Sequence, residues 1–315
     1  MTTQAPGTLS LAFIGLGAMG GPMSARLVQS GFIVTGYDIN DAAMAALRQA
    51  GGQTATTPAE AASKASVLII IVASAQQVDD VLFGPNGALT TLPAGSAIMV
   101  CSTVPPSYMQ ALGQRLHDQG FPLLDAPVSG GVSGAAAGTL TMMAAGSAAA
   151  FEACEPIMPV LASKIYPLGD APGQGTTVKV LNQLLTGVHL ATTMEAVALA
   201  LRLGVDLERA YEVISNSAGA SRVFTNRVPE LLSGAETPGG ALDIFVKDLG
   251  IVLDVGKEAH FPLPISASAH QLFLMGSAAG LGQEPANSLL KVFEKIAGIR
   301  MPTRSSSSTP DTDAS

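Results

Sequence analysis

The sequence predicts an α/β domain followed by an all-α domain, and three observations support this. In the first half, short apolar runs alternate with longer Ala-rich segments, as strands and helices do in an α/β domain. A Gly- and Pro-rich break, GDAPGQG, then spans residues 169–175. Beyond this break, apolar residues recur at spacings of three or four, which is the period of a helix.

The break sets the predicted domain bounds. We expect the first domain over residues 9–169 and the second over 170–300, and 315 residues give room for both. Residues 1–8 and 301–315 contain few apolar side chains and many Ser, Thr and Pro, so they are predicted to be disordered tails.

The strands of the first domain are predicted from its apolar runs. LAFIG at 11–15 and FIVTGYD at 32–38 are each followed by a helical segment, so the chain begins as a β-α-β unit. Further strands are predicted at 67–72, 97–102, 122–128 and 139–146. Several are apolar throughout, which is typical of a parallel sheet buried between helices on both sides.

The second domain is predicted to begin with a long interdomain helix. The apolar positions that give its period are Val178, Leu181, Leu185, Val188, Met194, Val197, Ala198 and Leu201. Gly204 is expected to end this helix. The remainder, to about residue 298, shows helical segments and no strand pair, so this domain should be all-α.

Composition excludes several classes of protein. The longest nearly pure apolar stretch, Val67 to Ala73, is far shorter than the ~20 residues of a membrane-spanning helix. The first residues carry no basic region typical of a leader, so we expect a cytoplasmic protein. A net charge of -8 without a Lys and Arg cluster argues against nucleic-acid binding.

Neither the cysteines nor the histidines indicate a metal site. Cys101 and Cys154 fit no metal-ligand spacing and are expected to be small buried apolar residues. The four histidines show no H-x-x-x-H spacing, so we expect no metal.

A glycine motif lies between the first predicted strand and helix. It consists of Gly15, Leu16, Gly17, Ala18, Met19 and Gly20. In such a G-x-G-x-x-G turn the glycines allow a tight turn, a close approach of the pyrophosphate and close packing of helix on strand. The helix N-terminus then receives the phosphates. The motif predicts a Rossmann-type dinucleotide-binding domain, and an ordinary glycine-rich turn is the alternative.

Asp38 ends the second predicted strand, where a carboxylate would accept hydrogen bonds from the adenosine ribose. The residues that follow, Ile39, Asn40 and Asp41, include no arginine for a 2'-phosphate. NAD is therefore favoured over NADP. A role as a turn residue or helix cap is the alternative for Asp38.

The segment DAPVSGGVSGA at 125–135 runs from a strand end into small residues. The backbone N-H groups near Ser129, Gly130 and Gly131, with the serine hydroxyl, would form a nest for a carboxylate. A flexible glycine loop is the alternative. The G-x-S-x-G pattern of serine hydrolases is not met, because its last position is Ala135.

Two lysines interrupt apolar helical segments. Lys179 is followed four residues later by Gln183, whose amide would lie on the same helical face. By itself, Lys179 is more typical of a surface lysine that extends its amine to water. The pair Lys247 and Asp248 is, by itself, more typical of a solvated face.

Taken together, these motifs resemble the β-hydroxyacid dehydrogenase family, which includes 3-hydroxyisobutyrate dehydrogenase and tartronate semialdehyde reductase. Four signatures match in order, namely GLGAMG at 15–20, DAPVSGGVSGA at 125–135, GQGTTVKVLNQ at 173–183 and VKDL at 246–249. They extend over nearly all of the chain between its tails.

The resemblance implies a role for each matching residue. Lys179 would be catalytic, and Ser129, Gly130 and Gly131 would hold the substrate carboxylate. Lys247 would lie near cofactor and substrate, and Thr103 would contact the cofactor. The family often has two adjacent asparagines after the lysine, whereas this chain has Gln183 at the second position. Gln183 would therefore contact a substrate hydroxyl, and the change would suit a polyol acid.

The implied function is the oxidation of a small hydroxy acid with NAD, in a homodimer or homotetramer. Within the family, tartronate semialdehyde reductase and 3-hydroxyisobutyrate dehydrogenase activities are alternatives. Oxidative decarboxylation and imine reduction on the same architecture are more distant ones. A cofactor-binding scaffold without activity is the non-enzymatic alternative.

Overall fold

The computed structural model describes residues 9–234 and 240–301. It confirms the predicted fold class, a Rossmann-type α/β domain followed by a helical domain. The predicted tail at 1–8 lies outside the described residues, as does the predicted C-terminal tail beyond Met301.

The described part of the first domain contains nine strands in one sheet. They are β1 Ser10–Ile14, β2 Ile33–Tyr37, β3 Gln53–Thr54, β4 Val67–Ile70, β5 Ala97–Val100, β6 Leu123–Asp125, β7 Val128–Ser129, β8 Leu140–Gly146 and β9 Ala162–Pro167. Their order is β3-β2-β1-β4-β5-β6-β8-β7, and β9 pairs with β8.

The neighbouring strands from β3 to β6 pair in parallel, as predicted. β4 and β5 are buried along their whole length, because helices cover both faces of the sheet. The helices of this domain are α1 Gly20–Gln29, α2 Asp41–Gln49, α3 Pro58–Ala62, α4 Ala75–Phe83, α5 Pro106–His117, α6 Gly131–Ala137, α7 Ala148–Cys154 and α8 Met158–Leu161. Cys101 and Cys154 are buried, which confirms that expectation.

The part of the sheet beyond β5, formed by β6, β8 and β7, differs from the prediction. The single strand predicted at 122–128 is divided into β6 and β7, and both pair antiparallel with β8. Pro127 lies between them, and a proline has no N-H to donate to a strand ladder. The short β3 and the partly exposed β9 were not predicted, because neither carries a sustained apolar run.

The second domain is helical, as predicted. Its helices are α9 Gln174–Arg202, α10 Leu207–Ser215, α11 Arg222–Ser233, α12 Leu242–Glu258, α13 Pro264–Gly276 and α14 Leu290–Ala297. Within its described residues, β pairing is confined to one bridge between Ala241 and Pro285. The core is built around α9, and Phe245 stacks on Phe273 with ring centroids 5.0 Å apart.

The 29-residue helix α9 ends just before Gly204, as expected, and Gly204 adopts a left-handed φ of +70°. Its apolar positions do not share one buried face, however. Met194 and Val197 are buried in the core, whereas Leu181 and Leu185 are 57% and 54% exposed. The uniform spacing of the apolar residues did not predict which of them are buried and which are exposed.

Among the described residues, α9 is also long and apolar enough to cross a membrane by length and composition alone. The central helix of a folded helical domain passes the same test. α9 packs against α11, α12 and α13, as a core helix does.

Candidate active site

The turn between β1 and α1 has the shape that the glycine motif requires. Gly15 has φ +94°, and a Cβ on it would collide with the carbonyl oxygen of Ile71. A Cβ on Gly20 would collide with the carbonyl oxygen of Gly15. At Gly17, by contrast, a Cβ would have no neighbour within 4 Å. The chain therefore leaves open space where the pyrophosphate of a dinucleotide would approach, and the residues present fit that group.

Asp38 is joined directly to this turn. Its carboxylate accepts a 2.6 Å hydrogen bond from the N-H of Leu16 and a 2.8 Å bond from the N-H of Asn40. Asp38 is thus a turn residue, as the alternative interpretation held, but it also braces the glycine motif. Each carboxylate oxygen has a further lone pair to offer a ribose hydroxyl.

A surface cleft lies beside Asp38, lined by Tyr37, Ile39, Met44, Arg48 and Thr54, among others. Arg48 was not found by sequence reasoning, because it lies on α2 and not next to Asp38 in the chain. Its guanidinium donates a 2.9 Å hydrogen bond to the hydroxyl of Thr54. The cleft thus contains one cation near the aspartate.

The nest predicted at Ser129–Gly131 has unusual backbone geometry. Gly130 has φ +139° and Gly131 has φ +67°, so two successive residues adopt conformations that favour glycine. α6 begins at Gly131, and both glycines are exposed. Such a turn directs backbone N-H groups outward and suits an anion.

Lys179 lies in the second turn of α9 and is only 6% exposed. Its Nζ donates a 2.8 Å hydrogen bond to the carbonyl oxygen of Val128, the residue before Ser129. A second 2.8 Å bond runs to Oε1 of Gln183. The alternative of a solvated surface lysine therefore does not apply.

Burial lowers the pKa of Lys179 to about 8. The positive charge of Lys247 lowers it further, whereas the negative charge of Asp248 opposes both. Near neutral pH the amine is therefore close to the point at which it can take up or release a proton.

A buried polar network continues from Lys179. The amide of Gln183 donates to Oδ2 of Asp248, which is only 2% exposed. Oδ1 of Asp248 lies 2.9 Å from Nζ of Lys247, an ion pair without the geometry of a hydrogen bond. The interpretation of Lys247 and Asp248 as a solvated pair is thus wrong for Asp248. The spacing of apolar residues alone did not reveal that Asp248 is buried.

Lys247 links this network to the first domain. Its Nζ donates a 2.9 Å hydrogen bond to the carbonyl oxygen of Thr103, in the loop after β5. The structure therefore brings Thr103, Lys247, Gln183 and Lys179 into one connected group, with Ser129 next to the carbonyl that holds Lys179.

The predicted site residues of the first domain lie along one edge of the sheet. The glycine motif follows β1, Asp38 follows β2, Thr103 follows β5 and Ser129 ends β7, just beyond β6. Because β1, β2, β5 and β6 belong to the parallel part of the sheet, their carboxyl ends meet at one edge. In open α/β sheets ligands bind at this edge.

Comparison with known proteins identifies the family. The model for the NAD-binding domain of 6-phosphogluconate dehydrogenase matches residues 10–169. The model for the NAD-binding of NADP-dependent 3-hydroxyisobutyrate dehydrogenase matches residues 173–293. An L-threonate dehydrogenase of Cupriavidus necator is 47% identical, over 93% of this chain and 98% of the relative. The chain belongs to the β-hydroxyacid dehydrogenase family.

Other members share its length and fold. A solved 3-hydroxyisobutyrate dehydrogenase from Salmonella typhimurium is 40% identical with a TM-score of 0.83, covering 90% of this chain and 99% of that one. A 2-(hydroxymethyl)glutarate dehydrogenase of Eubacterium barkeri is 37% identical, over 93% of this chain and 97% of the relative. As a β-hydroxyacid dehydrogenase, this chain is an enzyme that uses a nicotinamide dinucleotide, and the scaffold alternative is set aside.

Proposed function

We propose that this enzyme oxidises L-threonate to 2-oxo-tetronate (2-dehydro-L-erythronate), with NAD as the acceptor and Lys179 as the general acid and base. The observation that carries the chemistry is the buried amine of Lys179, held beside the Ser129–Gly131 turn with its pKa lowered to about 8. The observation that favours the substrate is the likeness to the L-threonate dehydrogenases, at 47% identity for the Cupriavidus necator enzyme.

The substrate assignment also draws on particular segments. The stretches VKVLNQLL, GVH, NSAGAS, ALDIFVKDLG and HFPLP are similar to those of L-threonate dehydrogenases. Gln183 replaces a shorter asparagine that is common in the family, and its Oε1 contacts the amine of Lys179. A longer amide at this point suits an acid that carries additional hydroxyl groups.

The preference for NAD rests on Asp38. Its carboxylate would accept hydrogen bonds from the ribose hydroxyls and would repel a 2'-phosphate. Arg48 lines the same cleft but donates a hydrogen bond to Thr54, so one of its N-H groups is already used within the chain.

In the proposed mechanism the substrate carboxylate lies on the N-H groups of the Ser129–Gly131 turn. The bound dinucleotide supplies the hydride acceptor for oxidation and the hydride donor for the reverse reaction. Neutral Lys179 removes the proton of the reacting hydroxyl. In the reverse direction its ammonium group polarises the carbonyl and returns the proton to the alkoxide. Gln183 and the carbonyl of Val128 hold the amine in place during both.

The test is NADH formation by the purified enzyme with a panel of hydroxy acids. The panel contains L-threonate, D-threonate, the erythronates, D-glycerate and 3-hydroxyisobutyrate. We expect the highest kcat/KM with L-threonate. A higher value with D-glycerate or 3-hydroxyisobutyrate would replace the substrate assignment by one of the other family activities.

The role of Lys179 is tested by Lys179→Ala, with Lys164→Ala as the matched control because Lys164 is exposed on β9. Loss of a positioned general base typically lowers the rate by a factor on the order of 10²–10⁴. The control should keep the wild-type rate. Equal turnover by Lys179→Ala and wild type would show that Lys179 is not the general acid and base. Equal rates with NADP and NAD would show that Asp38 does not select NAD.

The homo-oligomer and the cytoplasmic location stay predictions. Both follow from the family resemblance and the composition of the chain.

A further inference from the structure

Asp125, at the end of β6, is a fully buried carboxylate that belongs to the first domain but contacts the second. Its Oδ2 accepts hydrogen bonds from the N-H groups of Gly173 and Thr176, at 2.8 and 2.9 Å. Its Oδ1 accepts a 2.5 Å bond from the hydroxyl of Thr176. Both partners lie at the N-terminus of α9, so Asp125 caps a helix whose N-cap residue, Gly173, lies 48 residues further along the chain.

The helix has no cap of its own at this end. Its N-cap residue is Gly173, which has no side chain to accept the first free N-H groups. A carboxylate also interacts favourably with the positive end of a helix dipole. Asp125 thus satisfies N-H groups that would otherwise be buried without a partner.

Close packing fixes the same contact. A Cβ on Gly175 would collide with the carbonyl oxygen of Met143 and would lie 2.9 Å from that of Asp125. The first turn of α9 therefore lies directly against the end of β6 and the middle of β8, and only a glycine leaves room for it.

The site provides a second attachment one turn further along. Val128 follows Asp125 by three residues, and Lys179 follows Thr176 by three residues. The bond between Asp125 and Thr176 holds the helix terminus. The bond from Nζ of Lys179 to the carbonyl of Val128, at 2.8 Å, holds the next turn. A shift or rotation of α9 on the sheet would therefore displace the amine from its acceptor.

We propose that Asp125 is a positioning residue, whose capping of α9 sets the place of the Lys179 amine relative to the Ser129–Gly131 turn. This inference rests on the proposed role of Lys179. Asp125 itself contacts neither substrate nor cofactor in this scheme.

The cost of burying the carboxylate agrees with a dedicated role. Burial raises the pKa of Asp125, and its hydrogen bonds from Thr176 and Gly173 oppose that rise. An apolar residue at this position would avoid the cost but would leave the helix terminus without its acceptor.

The test compares Asp125→Asn, Thr176→Val and Thr176→Ser with a matched capping control. Asp206 caps α10 through a 2.9 Å bond from the N-H of Arg209, so Asp206→Asn removes the same chemical group from another helix. For each variant we would measure kcat with the best hydroxy acid of the panel and the Kd for NADH by fluorescence titration.

We expect kcat to fall roughly tenfold or more in Asp125→Asn, because small displacements of a catalytic group are costly. Thr176→Val should show a smaller fall, and Thr176→Ser, which keeps the hydroxyl, should recover most of it. The Kd for NADH should stay within about twofold throughout, since the glycine motif is untouched. Asp206→Asn should leave both quantities unchanged.

Two results would overturn the proposal. One is a kcat within about twofold of wild type in both Asp125→Asn and Thr176→Val. The other is a fall in kcat matched by an equal rise in Kd, which would indicate general disruption. If Asp125→Asn does not fold, Thr176→Val against Thr176→Ser decides. An active Lys179→Ala would instead overturn the proposed function, so the two failures are distinguishable.

Discussion

Lys179 is an ionisable side chain held where its charge is unfavourable. Its amine is surrounded by protein, and among the described residues only the carbonyl of Val128 and the amide of Gln183 replace the water it has lost. A fold selected for stability alone would place an apolar side chain here. The residue should therefore lower the stability of the enzyme that it serves.

This cost gives the first prediction, for Lys179→Met. The pKa of Lys179 falls from 10.5 to about 8 on folding, so between these values the folded chain binds fewer protons than the unfolded chain. Wild-type stability should then rise with pH across this window. Below pH 8 the full cost is present, and the methionine variant should be more stable by up to about 3 kcal/mol.

Urea denaturation at a series of pH values measures this difference. The advantage of Lys179→Met should shrink as the pH rises from 8 to 10.5. Lys164→Met, at an exposed position on β9, should show a small difference that does not depend on pH. A constant advantage of Lys179→Met at all pH values would contradict the assigned cause.

The second prediction concerns the pH dependence of the reaction. Oxidation should accelerate with pH and level off above about 8, where Lys179 is neutral. Because Asp248 raises the pKa of Lys179, Asp248→Asn should move this acidic limb to lower pH. Because Lys247 lowers that pKa, Lys247→Met should move the limb to higher pH.

Profiles of log kcat/KM against pH, at saturating cofactor, measure both shifts. The opposite directions are decisive, since a general loss of structure would not move the limb both ways. If the two variants shifted it in the same direction, the electrostatic interpretation would be wrong.

Single residues differ in how far the sequence could predict them. Lys179 was a candidate because a cation in an apolar helical segment needs a partner, and Gln183 supplied one at the right spacing. The burial of Asp248 was not predictable from spacing, because its hydrogen-bond donor Gln183 lies on α9, 65 residues away. Asp125 belongs to the signature DAPVSGGVSGA, but its capping role depends on a contact between domains, which the sequence does not show.

At the scale of elements, the turn from β1 to α1 contains one glycine required for packing and another that is predicted to be required for cofactor binding. A methyl group at Gly20 would collide with the backbone of Gly15, whereas one at Gly17 would meet nothing in the chain. The third prediction is therefore a contrast. Gly17→Ala should keep the free energy of unfolding but weaken NADH binding, and Gly20→Ala should reduce both.

Chemical denaturation and NADH fluorescence titration, applied to both variants, test this contrast. A loss of unfolding free energy in Gly20→Ala of about 1–3 kcal/mol is typical of overpacking. Unchanged NADH affinity in a folded Gly17→Ala enzyme would show that the pyrophosphate lies elsewhere.

Elements with strong local signals were predictable, and those defined by pairing were not. β4 and β5 are buried throughout and appear in the sequence as apolar runs. β3 has two residues and β9 is mostly exposed, so neither has such a run. The antiparallel pairing of β8 with β6 and β7 depends on how the chain turns after Pro127, which a local pattern does not encode.

At the scale of the whole molecule, α9 leaves an apolar stripe uncovered. Val178, Leu181, Leu185, Leu199 and Leu203 are between 37% and 68% exposed in the single chain. Exposed apolar side chains that share one face of a helix often mark an interface. The fourth prediction is that a second copy covers this stripe, consistent with the homo-oligomer that the family resemblance implies.

Light scattering after size-exclusion chromatography tests this prediction. The double change Leu181→Glu and Leu185→Glu should convert the oligomer to a smaller species. Val213→Glu, at a 64% exposed position on α10, should leave the mass unchanged. A wild-type enzyme that is monomeric at micromolar concentration would refute the prediction.

The order of the two domain classes was the most predictable feature of the molecule. It follows from the change of apolar period near residue 169, which needs no tertiary information. The choice among hydroxy acids was less accessible. The residues proposed to decide it, such as Gln183 on α9 and Ser129 on β7, lie on separate elements that only the folded chain brings together.

The hydrogen bond from Leu16 to Asp38 bears on attempts to redesign this enzyme for a phosphorylated coenzyme. The obvious exchange, Asp38 for a smaller or basic residue, would remove repulsion of the added phosphate. It would also remove the acceptor of the Leu16 N-H and so loosen the glycine turn, which is predicted to hold the diphosphate common to both coenzymes. Variants at this position should therefore lose more affinity for NAD than they gain for NADP. A second substitution that restores an acceptor for the Leu16 N-H should reduce this loss.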